Sequence, residues 1–210
     1  MPSTDTRDRL LDAAWSEATD AGAGVDQLTL AKVAARAGVS RQAVYLHFGN
    51  RSTLLVEMAR RIDQSSGFRQ RLGAAREHPP ADAFRRVLGE WFAYLPTILP
   101  VHRALEAAAL TGGEGADAYA DRMQDWRDGL RITVAALAEA GLLADRWTVD
   151  AATDWLWAAV HPTTYHHLVD ERGWRPADVA ATTIAALERE LCRAGRRREP
   201  PDRPAASETA

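Results

Sequence analysis

TLAKVAARAGVSRQAVYLHFGNRSTLL, residues 29–55, is the stretch on which the fold turns. Its apolar residues recur three and four positions apart, the period of a helix, and Gly38 and Gly49-Asn50 cut the pattern into short pieces. Thr29 and Ser40 can cap helix N-termini by accepting a backbone N–H, and Gly38 supplies the left-handed residue after the first piece. The spacing predicts a helix to Ala37, a corner at Ala37-Gly38-Val39-Ser40, a second helix ending near Phe48 and a longer one starting near Arg51. Two short helices joined this way form a helix-turn-helix. Leu30, Val33 and Ala34 face Val44 and Phe48, and Val39 fills the corner. Arg41, Gln42 and Tyr45 are left on an outer face. A polar, basic face on a helix narrow enough for the major groove is what base reading requires.

Working outward, nearly every segment reads as helix, and strand-like alternation is absent. A first helix spans about Asp5 to Ala21, ended by Gly22 and Gly24. After Pro79-Pro80 a helix reaches about Leu95. Pro96 and Pro100 bracket a bend before a short helix to Leu110, and Thr111 to Gly115 is a loop. Further helices cover about Ala116 to Ala140, Val149 to Glu171 and Pro176 to Ala194. Pro162, inside the second of these, is expected to kink it. The expected class is all-α, with a three-helix helix-turn-helix domain (1–50), a second helical domain (51–194) and a disordered tail (195–210), and with Arg196 to Arg198 either capping the last helix or joining the tail.

Net charge is −3, which by itself argues against a nucleic-acid partner. The distribution argues otherwise: Thr29 to Arg61 holds six basic residues (Lys32, Arg36, Arg41, Arg51, Arg60, Arg61) and one acid, Glu57. The lone Cys192 cannot form an intrachain disulfide and fits a reducing cytoplasm. The polar N-terminus is not a signal peptide, and no stretch nears the roughly 20 apolar residues of a membrane helix. No nucleophile elbow, phosphate loop or HExxH is present, so an enzyme is not expected.

In order, Ala13-Ala14, Thr29, Ala37-Gly38-Val39-Ser40, Tyr45, His47-Phe48, Arg51 and Leu54-Leu55 resemble the DNA-binding domain of the tetracycline-repressor (TetR/AcrR) family. The resemblance implies that 1–50 is a DNA-binding domain and 51–194 a ligand-binding and dimerisation domain, in an Ω-shaped homodimer on a palindromic operator with a small-molecule effector and no cofactor. It also implies DNA contacts from Thr29, Ser40, Arg41, Gln42, Ala43, Tyr45, His47 and Arg51, with Tyr45, His47, Arg51 and Thr29 gripping phosphate. Two positions depart from the pattern. Glu17-Ala18 stands where many relatives have a Leu-Phe pair, and Gln42 where many have glycine.

Seven tryptophans are many for this length. Most of the aromatics read as core, and a subset as pocket lining. The expected ligand-binding set is Trp91, Tyr94, His102, Trp126, Arg127, Trp155, His161 and Tyr165, suited to an apolar or aromatic molecule. His161, His166 and His167 share one predicted helix, but spacings of five and six do not bring the pairs well onto one face, so no metal site is expected. Val179, Thr183, Ile184, Leu187 and Leu191 form one apolar face, expected to pair the last helices of two subunits.

Overall fold

The computed structural model describes residues 4–19, 25–110 and 114–193. The expected breaks at Gly22 and Gly24, most of the loop at 111–115 and the tail from 195 lie outside the described residues. Helix α1 is Thr4–Thr19, followed by a 3₁₀ turn at Val25–Gln27, α2 Leu30–Ala37, α3 Arg41–Phe48 and α4 Arg51–Ser65. The boundaries follow from caps. Thr29 Oγ1 accepts from Lys32 N (3.3 Å), Ser40 Oγ from Ala43 N (3.1 Å) and Asn50 Oδ1 from Thr53 N (2.8 Å). Gly38 takes φ 66° and returns its N–H to Ala34 and Ala35, closing α2 where a side chain would be strained.

The remaining elements are α5 Phe68–Arg76, α6 Pro80–Leu110, α7 Glu114–Glu139, α8 Val149–Ala159, α9 Pro162–His166, running into a π turn at His167–Glu171, and α10 Pro176–Leu191. Helices α6 and α7 are the central pair. Helix α4 packs on α1, α6 and α7. Leu10, Val33, Phe48, Leu55, Phe84, Leu105, Leu137 and Leu156 belong to one continuous core. Among the described residues no helix is long and apolar enough to cross a membrane.

Four expectations need correction. First, the two helices expected on either side of Pro96 and Pro100 are one helix of 31 residues. Each proline removes an N–H, freeing the carbonyls of Phe92 and Pro96. Both prolines are exposed, on the face where water can take up those carbonyls, while Leu95, Ile98, Leu99 and Val101 hold the opposite face in the core. Second, α5 was not expected at all. Third, Pro162 does not kink a continuous helix. The chain leaves α8 at Val160, His161 is extended (φ −60°, ψ 139°), and Pro162 is the first residue of α9. Proline disfavours helical geometry in the residue before it and is pre-set for a first helical position. Fourth, Val179, Leu187 and Leu191 are buried within their own subunit. The outward faces are instead Ala181, Thr182, Ala185 and Ala186 on α10 and Ala151, Trp155 and Ala158 on α8.

Candidate nucleic-acid interface and effector cavity

Val44 and Phe48 anchor α3 from one side, against Leu30, Val33 and Ala34, leaving Arg41, Gln42, Tyr45 and Leu46 exposed on the other. Arg41 lies over the Tyr45 ring, 5.5 Å from its centroid, and donates to the tyrosine hydroxyl at 3.2 Å. The two side chains thus support each other at the head of the helix. Ala43 and His47 are half-buried beside them. Thr29 is exposed at the α2 N-terminus, where its backbone dipole and the Lys32 ammonium can meet a phosphate. Leu46, 73 % exposed, is an apolar member of this face that the reading of polar residues passed over.

The basic surplus of this segment is largely spent inside the head. Arg36 pairs with Glu17 (3.0 Å), Arg60 with Glu57 (2.8 Å), and Arg61 with Asp8 (3.0 Å) and Asp12 (2.6 Å). Counting charge along the chain hides this, because the acids of α1 lie outside the counted segment. Arg51 is also engaged inwardly. Its Nε donates to Leu28 O (2.8 Å) and its Nη2 to Val25 O (2.9 Å), tying the start of α4 to the 3₁₀ turn. Arg51→Ala is therefore expected to destabilise the protein by about 1–3 kcal/mol, since two part-buried carbonyls lose a charged donor. Denaturant unfolding beside Arg51→Lys measures it. Unchanged stability with a salt slope of DNA binding reduced by about one per half-site would make Arg51 a phosphate contact instead.

A cavity of about 490 Å³ lies between α4, α5, α6 and α7, within the size range of small-molecule sites. Its wall is aromatic. Phe68 stacks on Tyr94 (centroids 4.1 Å, 10°) and Trp91 on Trp126 (3.9 Å, 24°). Trp91 Nε1 donates to Val160 O at 2.8 Å, fixing the indole to the end of α8. At one end Asp63, on α4, accepts from the Tyr94 hydroxyl and from Arg122 at 3.0 and 3.2 Å. Burial, with the Asp63 charge beside it, drives the Tyr94 phenol well above its ordinary range. Arg76 donates from Nη2 to Gly129 O (3.0 Å), but among the described residues its buried Nε and Trp126 Nε1 have no hydrogen-bond partner.

Of the expected ligand set, Trp91, Tyr94, His102 and Trp126 line this cavity. Arg127 does not; it points from α7 to Asp154 on α8 at 2.6 Å. Trp155 is 51 % exposed on the outer face of α8. Tyr165 is buried against a separate depression beside Pro96, Pro100 and Pro176, and His161 stands behind His102. Phe68, Arg69, Leu72 and Arg76, from the unexpected α5, supply one wall. Phe68, Leu72 and Ala75 following Gly67, at helical spacing, were the available signal.

Residues 10–58 match the family model for bacterial regulatory proteins, tetR family. Over most of its length the chain resembles several solved structures. One is a TetR-family transcriptional regulator from Rhodococcus sp. (22 % identity, 89 % of this chain and 98 % of that one, TM-score 0.67). Another is a transcriptional regulator from Saccharomonospora viridis in complex with choline (18 %, 91 % and 100 %, 0.72). A third is the SmeT–triclosan complex (19 %, 91 % and 94 %, 0.66). At these identities the likeness carries the fold alone. No curated protein matches the chain at a significant level.

Proposed function

We propose, for a chain that belongs through residues 10–58 to the tetR family of bacterial regulatory proteins, that it is a homodimeric repressor which leaves a palindromic operator when a small molecule fills the cavity. The DNA-binding part of this reading is the family's; repression and release are ours. The observation that carries it is the α3 face, where Arg41, Gln42 and Tyr45 stand exposed on a helix capped at both ends. We read the chain as a binding protein and not an enzyme.

The effector is read as flat and mostly apolar, from the aromatic wall. The unpartnered donors on Arg76 and Trp126 favour one that also carries a hydrogen-bond acceptor. Two similar structures hold small molecules, choline and triclosan, which supports a ligand role for a cavity in this fold. Coupling to DNA runs through α4. It begins beside the recognition helix and carries Asp63 at the cavity, so an effector that favours one setting of α4 biases the spacing of the two heads. Gel shift against DNA from upstream of the protein's own gene tests the reading, and a chain that shifts no such DNA overturns it.

Assembly is tested separately. One subunit has one recognition helix, and a palindrome needs two. The small-residue face of α8 and α10, with Trp155 on it, is the proposed interface. Sedimentation at micromolar concentration is expected to give a dimer, and Ala185→Glu a monomer that keeps its helicity. A wild-type monomer at that concentration removes the dimer from the proposal.

A further inference from the structure

Behind the aromatic wall, His102, Glu106 and His161 bring their ligating atoms within 4.8 Å of one another. His102 and Glu106 are one turn apart on α6 and share a face; His161 arrives from the N-cap of α9. The two imidazoles stand edge to face, 5.3 Å apart. His102 is 2 % exposed, and among the described residues its Nε2 has no hydrogen-bond partner. Burial, reinforced by His161 and Arg122, holds its pKa down to about 3, so it stands neutral with a lone pair to give. The half-buried Glu106 carboxylate accepts from Thr163 Oγ1 at 3.1 and 3.2 Å, and among the described residues no cation is paired with it. The Tyr119 hydroxyl also bonds this carboxylate; the orphaned buried nitrogen beside it is costly, and a cation shared with Glu106 would relieve it.

We propose that His102, Glu106 and His161 bind a borderline divalent transition ion, Zn²⁺ being the fitting probe, with an open coordination position toward the cavity. Two imidazoles and one carboxylate form a known donor set for zinc with one position left free. Bond lengths of about 2.0–2.2 Å put tetrahedral donors roughly 3.3 Å apart, so the three groups must close inward by up to about 1.5 Å. Glu106 and His161, both half-buried, have side-chain freedom for this. His102 and Pro162 also line the cavity, which places the ion where an effector oxygen could complete its shell.

Binding has a structural consequence. His161 Nδ1 accepts the Thr163 N–H at 3.3 Å and so caps α9. An ion on Nδ1 takes that lone pair; an ion on Nε2 leaves the proton on Nδ1. Either way α9 loses its cap, and the ion acts on the α8–α9 break. The expectation of no metal came from comparing histidines along one helix, whereas these ligands come from two.

The full-length protein, stripped with chelator, is titrated with ZnCl₂ by calorimetry and with CoCl₂ by visible absorption. One ion per subunit is expected, with the intense visible bands of tetrahedral Co²⁺. His102→Asn and Glu106→Gln are each expected to weaken binding more than about 10-fold, with unchanged far-UV circular dichroism. If His102→Asn fails to fold, the near-isosteric Glu106→Gln decides. The double variant His166→Ala/His167→Ala removes the surface histidines paired with Asp170 and Glu171, and it is expected to bind as the wild type does. Absence of stoichiometric binding, binding that survives Glu106→Gln, or loss only in the His166/His167 variant overturns the site. None of these readouts depends on DNA binding, so the site and the repressor reading stand or fall apart.

Discussion

Arg41→Ala and Gln42→Ala are each expected to weaken binding to the true operator by about 1–3 kcal/mol per half-site. For a dimer on two half-sites that is roughly 2–6 kcal/mol, or from about 30-fold to more than 10,000-fold. The reason is side-chain chemistry at the exposed start of α3. The Arg41 fork suits guanine O6 and N7; the Gln42 amide offers one donor and one acceptor, matching adenine N6 and N7. Ala43 has only a methyl to offer. Because Arg41 is held against the Tyr45 ring and hydroxyl, Tyr45→Phe is expected to cost less than either, loosening the arginine without removing it. Titrations on the operator and on a scrambled duplex, at several salt concentrations, separate base reading from phosphate grip. Equal losses on both duplexes would mean that Arg41 and Gln42 do not read bases.

The second large effect is on stability. Trp91→Ala is expected to cost about 3–5 kcal/mol, the range for removing a buried large aromatic. The side chain is 6 % exposed, stacks on Trp126, and touches Phe68 and Tyr94 at centroid distances of 6.0 and 6.2 Å. Its removal also unpairs Val160 O, at the end of α8 where no further helix turn can supply a donor. Trp91→Phe keeps a ring but loses that bond, and should fall in between. Trp155→Ala, on the outer face, should leave subunit stability within about 0.5 kcal/mol while weakening the dimer. Denaturant unfolding at fixed protein concentration reads all three. A Trp91→Ala loss below about 1 kcal/mol would mean that the aromatic wall is not part of the subunit's core.

The DNA-reading head was legible because its determinants are local. Thr29, Ser40 and Gly38 act on backbone groups within four residues of themselves, and the three-and-four spacing of Leu30, Val33, Val44 and Phe48 orients the helices. The partner of a charged side chain is not local. Arg61 finds Asp8 and Asp12 some fifty residues away, and Arg51 turns to the carbonyls of Val25 and Leu28. Arg36, Arg60 and Arg61 are therefore paired with acids, three of the four carried by α1, while Arg41 stays exposed on α3.

The same division runs through the rest of the chain. Residue order alone determined that the protein is helical, where its N-terminal caps fall, and that α3 presents a polar face outward. Periodicity also revealed that α10 has an apolar side, but not what covers it; tertiary packing turned Val179, Leu187 and Leu191 inward and left the alanine face outward. Packing likewise decided that Pro96 and Pro100 ride on one unbroken helix, because burial of its opposite face outweighs the backbone bonds they remove. It chose which aromatics enclose space, placing Trp91 and Trp126 face to face and sending Trp155 to the surface. Helical spacing fixes only the direction in which a side chain leaves its own helix, while a cavity or an ion site depends on what arrives from the helices beside it.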